Sequence, residues 1–201
     1  DGQYCTFGKD EALDVIAAAQ WLRSHPPCKD KPLIVYGFSM GAVAAIEAQA
    51  RSHDKLFDAM ILDSPFDSSE NVLKNGLQKV SYSIYGYDLA QPLRKILEQY
   101  VFHPRVQEVV KQFLKAIAKM DATEVATEFC PLSPAESVKH IDVPCFFIGC
   151  SHDDKISSKA FERVYENTAA HYKKLWLTDG RRHFDSFFFN PEKYIEMVNH
   201  F

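Results

Sequence analysis

The sequence has no excess of positive charge: 23 Lys and Arg stand against 27 Asp and Glu, for a formal net charge of -4. Without a cationic stripe to follow a phosphate backbone, nucleic acid is not an expected partner. No uninterrupted apolar run approaches the roughly 20 residues that a bilayer span requires, and no charged-then-apolar leader opens the chain. Cysteine is scarce and odd in number, with Cys5, Cys28, Cys130, Cys145 and Cys150. Their spacing fits neither a zinc site nor a dense disulfide scaffold, so reduced thiols are expected; this favours a cytoplasmic location but leaves it open, since a leader can lie upstream. Cys145 and Cys150 bracket an apolar run, where a thiol behaves as a small hydrophobe. Repeats and low-complexity tracts are absent. What is present, 201 residues of which 46% are hydrophobic, suffices for one domain with a core and an insertion.

Periodicity organises that content. Residues 10–24 place Leu13, Ile16, Ala17 and Trp21 at helical spacing, with acids in the first turn and Pro26-Pro27 beyond the end, which predicts an amphipathic helix. Leu33-Ile34-Val35-Tyr36-Gly37 is a short apolar run bounded by Pro32 and glycine, the pattern of a strand buried on both faces. An alanine-rich helix is predicted over 40–51. Further strand-like runs are Ala59-Met60-Ile61-Leu62-Asp63, Cys145-Phe146-Phe147-Ile148-Gly149 and Lys174-Leu175-Trp176-Leu177-Thr178. Between the last two, Phe161, Val164 and Tyr165 mark a helix that Ser157 or Ser158 caps. Asn190 and Pro191 open a final helix expected to bury Tyr194, Ile195 and Val198. Such alternation predicts an α/β doubly wound, mostly parallel sheet.

One connection is too long for a single crossover helix: 66–143 must carry a substructure. Val106, Val109, Val110, Phe113, Leu114 and Ile117 trace a helical face within it. A helical cap over 66–143 is therefore expected, with the core formed by 1–65 and 144–201. The cap aromatics Tyr82, Tyr85, Tyr87, Tyr100 and Phe102 either wall an apolar acyl pocket or pack the cap.

Chemistry concentrates at Gly37-Phe38-Ser39-Met40-Gly41, a G-x-S-x-G between a predicted strand and a predicted helix. A serine on so sharp a turn has a strained backbone, and glycines two positions either side remove the resulting collisions. The turn lifts the hydroxyl above the sheet edge, and the helix behind it aims amides, Met40 first, at developing negative charge. A serine needs a base, and among eight histidines His183 is best placed, in a loop directly after the last predicted strand. A carboxylate must hold the imidazole. Asp153 and Asp154 follow the strand ending at Gly149, and Asp63 ends another strand; each has the alternative of capping a helix or closing a turn.

In the order Ser39, Asp153, His183 these residues resemble the α/β-hydrolase superfamily. Gly37-Phe38-Ser39-Met40-Gly41-Ala42, Leu62-Asp63-Ser64-Pro65-Phe66 and Ser133-Pro134-Ala135-Glu136-Ser137-Val138 resemble its lysophospholipase-like and peptidase-like serine hydrolases. The acid loop of that group commonly has aspartate, two residues, then valine or isoleucine, which Asp153 satisfies with Ile156. Its glycine and acid are usually three apart, whereas Gly149 and Asp153 are four apart. The resemblance implies acyl transfer to water without cofactor or metal, on a small-molecule acyl ester, thioester or short peptide; a non-catalytic binding module is the competing class. It also implies strands upstream of 33–37, including the loop that supplies a second oxyanion amide. A preceding segment or a partner chain is accordingly expected to cover the edge of that strand.

Overall fold

Local periodicity is realised closely in the computed structural model, which describes residues 4–52, 54–78, 83–84, 87–88, 95–96, 98–108, 126–127 and 130–201. In chain order the elements are β1 (Tyr4–Cys5), α1 (Glu11–Ser24), β2 (Ile34–Phe38), α2 (Met40–Arg51), β3 (Ala59–Asp63) and α3 (Ser69–Gln78). There follow β4 (Ser83–Ile84), β5 (Tyr87–Asp88), β6 (Ala126–Thr127), α4 (Pro134–Ser137) and a 3-10 turn at Val138–His140. The chain closes with β7 (Cys145–Cys150), α5 (Ser158–Asn167), β8 (Lys173–Thr178), α6 (Asp185–Phe189) and α7 (Pro191–Asn199). No helix among the described residues is long and apolar enough to cross a membrane.

Contacts divide the chain into two units, Phe7–Asp67 with Ser133–Phe201, and Asp1–Thr6 with Ser68–Leu132. The first holds a four-stranded parallel sheet in the order β2-β3-β7-β8. Every residue of β7 is buried, with Phe146, Phe147 and Ile148 fully so, because an interior strand of a parallel sheet is covered on both faces. In α2 the run from Ala42 to Gln49 is buried, and its alanines let the helix lie close to the sheet. The register pairs Phe38 with Asp63 and Asp63 with Ile148, so the carboxyl ends of β2, β3 and β7 finish side by side. Loops after those ends therefore meet above one edge of the sheet.

Three expectations are corrected in this unit. β2 is not buried on both faces: among the described residues it pairs only with β3, and Ile34, Tyr36 and Phe38 are 53%, 39% and 43% exposed. An edge strand with α2 on one face presents its alternate side chains outward. α1 does not bury Leu13 and Trp21, which are exposed; it packs on α2 through Ala12 and Ala19, since small residues permit that close approach. In α7 Tyr194 is buried but Ile195 is exposed.

Of the expected insertion the second unit takes Ser68–Leu132, so 66–67 and 133–143 belong with the sheet. Nor is the described part wholly helical. β4 pairs antiparallel with β5, and β6 pairs parallel with β1. Of the anticipated helical face, 104–108 is helical, while Val109, Val110, Phe113, Leu114 and Ile117 lie outside the described residues. Tyr82, Tyr85 and the side chain of Tyr87 lie outside them as well.

Candidate active site

Ser39 sits between β2 and α2 with φ 47° and ψ -114°, a left-handed conformation that a β-carbon makes costly. Two backbone bonds over-determine it. Its amide donates to Asp63 O at 2.8 Å, and its carbonyl accepts from the Val43 amide at 3.0 Å. A β-carbon on Gly37 would lie 2.7 Å from the Ala42 backbone and Gly41 O, so glycine is required there. At Gly41 a β-carbon would meet nothing within 4 Å among the described residues, so the collision expected on that side does not arise.

His183 is carried by the loop after β8, and Asp153 by the loop after β7. The two loops are stitched together: Ser151 N donates to Thr178 O at 2.8 Å, and His152 N to Gly180 O at 3.3 Å. Asp153 is an acceptor-only carboxylate, so His183 Nδ1 donates to its Oδ2 at 2.7 Å. The opposite ring nitrogen then lacks a hydrogen, and the Ser39 hydroxyl donates to Nε2 at 2.8 Å. The His183 and Asp153 side chains are only 6% and 3% exposed. Burial alone would raise the Asp153 pKa. The His183 ring bond and the Ile156 and Lys155 amides, at 2.9 and 2.7 Å from Oδ1, outweigh it and hold the carboxyl below its usual range. Those amides account for the two-residue spacing from Asp153 to Ile156.

Asp154 takes a different position. Its Oδ1 accepts from the His183 main-chain amide at 2.9 Å, so the two adjacent aspartates hold the ring and the backbone of one histidine. The next residue, Phe184, has φ 66°, and Arg181 N donates to Asp185 Oδ2 at 2.9 Å, which completes a tight loop. Asp63 does not contact His183 by a hydrogen bond. It is buried under the elbow, accepting from Ser64 Oγ and from the Tyr194 hydroxyl. Nothing in the sequence pattern singles out Tyr194, which looks like any aromatic on the inner face of a helix. Phe38 and Phe184, the neighbours of Ser39 and His183, line an open apolar groove of about 730 Å³ together with Tyr36, Phe187 and Tyr194.

A serine hydroxyl, an imidazole and a carboxylate in one hydrogen-bonded line can generate an alkoxide-like nucleophile and carry its proton. The family described as "X-Pro dipeptidyl-peptidase (S15 family)" matches residues 1–185. The chain belongs to the S15 peptidase family. Membership in that family places it in the α/β-hydrolase superfamily. The pyrrolizixenacetamide deacetylase of Xenorhabdus hominickii is 26% identical over 207 residues, covering 96% of this chain and 71% of that protein. Protein bem46 of Schizosaccharomyces pombe is 33% identical over 61 residues, 30% of this chain and 20% of that one. Among solved structures the Pyrococcus furiosus esterase Pf2001 superposes with TM-score 0.67 at 24% identity, over 99% of this S15 chain and 63% of the esterase. The chain thus spans less than two thirds of that esterase, and the likeness establishes the α/β-hydrolase fold.

Proposed function

We propose that this chain is a serine hydrolase that cleaves a small carboxylic ester through an acyl-enzyme. The observation that carries the reading is the unbroken line from Ser39 Oγ through His183 to Asp153, with bonds of 2.8 and 2.7 Å. His183 Nε2 takes the hydroxyl proton as Ser39 Oγ bonds to the acyl carbon, and the resulting imidazolium faces the Asp153 carboxylate. The amide of Met40, in the first turn of α2, is the oxyanion donor in this scheme. His183 then returns the proton to the departing alcohol. In the second half it deprotonates a water that releases the acid and restores Ser39. A second reading, cleavage of an amide, is favoured by the S15 membership and by the name of the deacetylase relative. The same line of residues serves both, because the difference lies in protonation of a poorer leaving group.

Reaction with a fluorophosphonate probe tests the assignment. Wild type should label at one site and Ser39→Ala should not label, with turnover of a p-nitrophenyl ester falling at least about a thousandfold. Turnover in Ser39→Ala within tenfold of wild type would refute the nucleophile. Comparing p-nitrophenyl esters of rising chain length with prolyl nitroanilides separates ester from peptide specificity. A higher kcat/KM on the anilides would replace the first reading with the second.

A further inference from the structure

We propose that Asp63 is a positioning residue for the Ser39–His183 pair, a buried second carboxylate that lends negative potential to the imidazolium while its main-chain carbonyl anchors the backbone of the nucleophile. This rests on the serine-hydrolase reading of the site. Asp63 ends β3 directly beside Phe38, and its carbonyl is the acceptor for the Ser39 amide at 2.8 Å. Its side chain points into the protein, and the residue is 1% exposed. Oδ1 accepts from Ser64 Oγ at 2.8 Å, and Oδ2 accepts from the Tyr194 hydroxyl at 2.6 Å. The Tyr194 hydroxyl also contacts that of Tyr36; since its own hydrogen is committed to Asp63, Tyr36 is the donor in that pair. A directed chain of hydroxyls therefore runs from Tyr36, at the apolar groove, through Tyr194 to Asp63.

With both oxygens accepting, the arrangement is that of an ionised carboxylate. No Lys or Arg pairs with it among the described residues, and a buried charge without a cation is costly. Burial accordingly pushes the Asp63 pKa up, opposed by the Tyr194 and Ser64 hydroxyls. His183, from the loop after β8, favours its charge, and Asp153, from the loop after β7, disfavours it. The phenols facing it are held neutral: burial and then the Asp63 charge raise Tyr194, and burial raises Tyr36. Around His183 the charged neighbours are Asp153 at the ring, Asp154 at the backbone, Asp63 below, and Arg181, Arg182 and Asp185 along its own loop. A carboxylate that lacks a permanent cation gains one when His183 takes the serine proton. Its charge thus acts most strongly in the transition state, where it lowers the barrier.

The test is an NMR titration of the His183 imidazole in the full chain, set beside pH profiles of kcat and KM. In Asp63→Asn the amide still accepts from Tyr194 but carries no charge. The His183 midpoint should fall by about half a pH unit or more, and kcat should drop about three- to tenfold with KM within about twofold. Tyr194→Phe keeps the carboxylate and removes one donor, so Asp63 binds a proton at higher pH. The His183 midpoint should then move the same way by less, and this variant decides the matter if Asp63→Asn does not fold. An unmoved His183 midpoint overturns the proposal even if kcat falls, because lost packing alone would not shift a titration. Fluorophosphonate labelling of wild type separates the two claims: without it the serine-hydrolase reading fails, while the titration still decides whether Asp63 acts on His183.

Discussion

Two adjacent aspartates grip one histidine. Asp153 fixes the imidazole through Nδ1, and Asp154 fixes the peptide that carries it. The two bonds have different chemical requirements. The ring needs an acceptor-only partner with a negative charge, because Asn could offer its amide hydrogens instead and would not stabilise the cation. The main-chain amide needs only an oxygen. Asp153→Asn should therefore lower kcat by about a hundredfold or more, whereas Asp154→Asn should stay within about threefold of wild type. Asp154→Ala removes the oxygen, loosens the loop at the left-handed Phe184, and should cost about tenfold in kcat. Steady-state rates on one ester for the three variants check this order, and equal losses in Asp154→Asn and Asp153→Asn would show that the roles are not divided in this way.

At the scale of elements, the turn from β2 into α2 shows which local rules held. Its left-handed serine follows from the motif, yet the two glycines are not equivalent, since only Gly37 faces backbone at 2.7 Å. Gly37→Ala should abolish soluble expression or turnover. Gly41→Ala, in a helix where alanine is the better former, should be folded and active with an unchanged or slightly raised Tm. Thermal melts and ester rates on both variants test this; a Gly41→Ala protein as damaged as Gly37→Ala would show that the helix start has no room. The elbow, the four parallel strands and the caps at Ser157 and Asn190 were legible because each is written within a few residues of itself. The edge position of β2 followed from the family resemblance and not from its own residues, since Leu33-Ile34-Val35-Tyr36 reads alike at an edge and in the middle of a sheet. Its neighbours decide the difference, and they are distant in sequence. The bond from Tyr194 to Asp63 spans 131 positions, which no period could reveal. Choosing Asp153 over Asp154 needed the loop spacing to Ile156, whose physical basis is an amide aimed at Oδ1.

Over the whole molecule, the carboxylates that hold distant segments together set how it responds to acid. Asp58 ties three pieces of chain: its Oδ2 accepts from Leu33 N at 2.8 Å and from Arg23 of α1 at 2.7 Å, while Oδ1 pairs with Lys55 at 3.2 Å. The Leu33 amide and then Arg23 pull its pKa down to about 2. Asp153 is also depressed, its hydrogen bonds to His183 and two amides prevailing over burial. Unfolded aspartates titrate near 3.9, about the point at which the free chain begins to bind protons more readily than the fold. A depressed carboxyl therefore contributes stability that is complete above roughly pH 5 and is lost as the pH falls through the folded value. Asp63 acts in the opposite sense. Raised mainly by burial, it binds its proton in the fold at a pH where the unfolded chain is still charged, so acidification relieves rather than weakens it. The Tm of wild type should fall between about pH 5 and 2, with the two depressed aspartates driving the loss and Asp63 softening it. Asp58→Asn should lower Tm at pH 7 and flatten the acid limb, because the group that titrates is gone. Asp63→Asn should steepen the same limb. Circular dichroism melts from pH 2 to 7 on the three proteins measure the slopes directly. Acid limbs parallel to wild type in both variants would mean that other carboxylates carry the transition, and that the ties among α1, β2 and the segment before β3 are not what acid breaks.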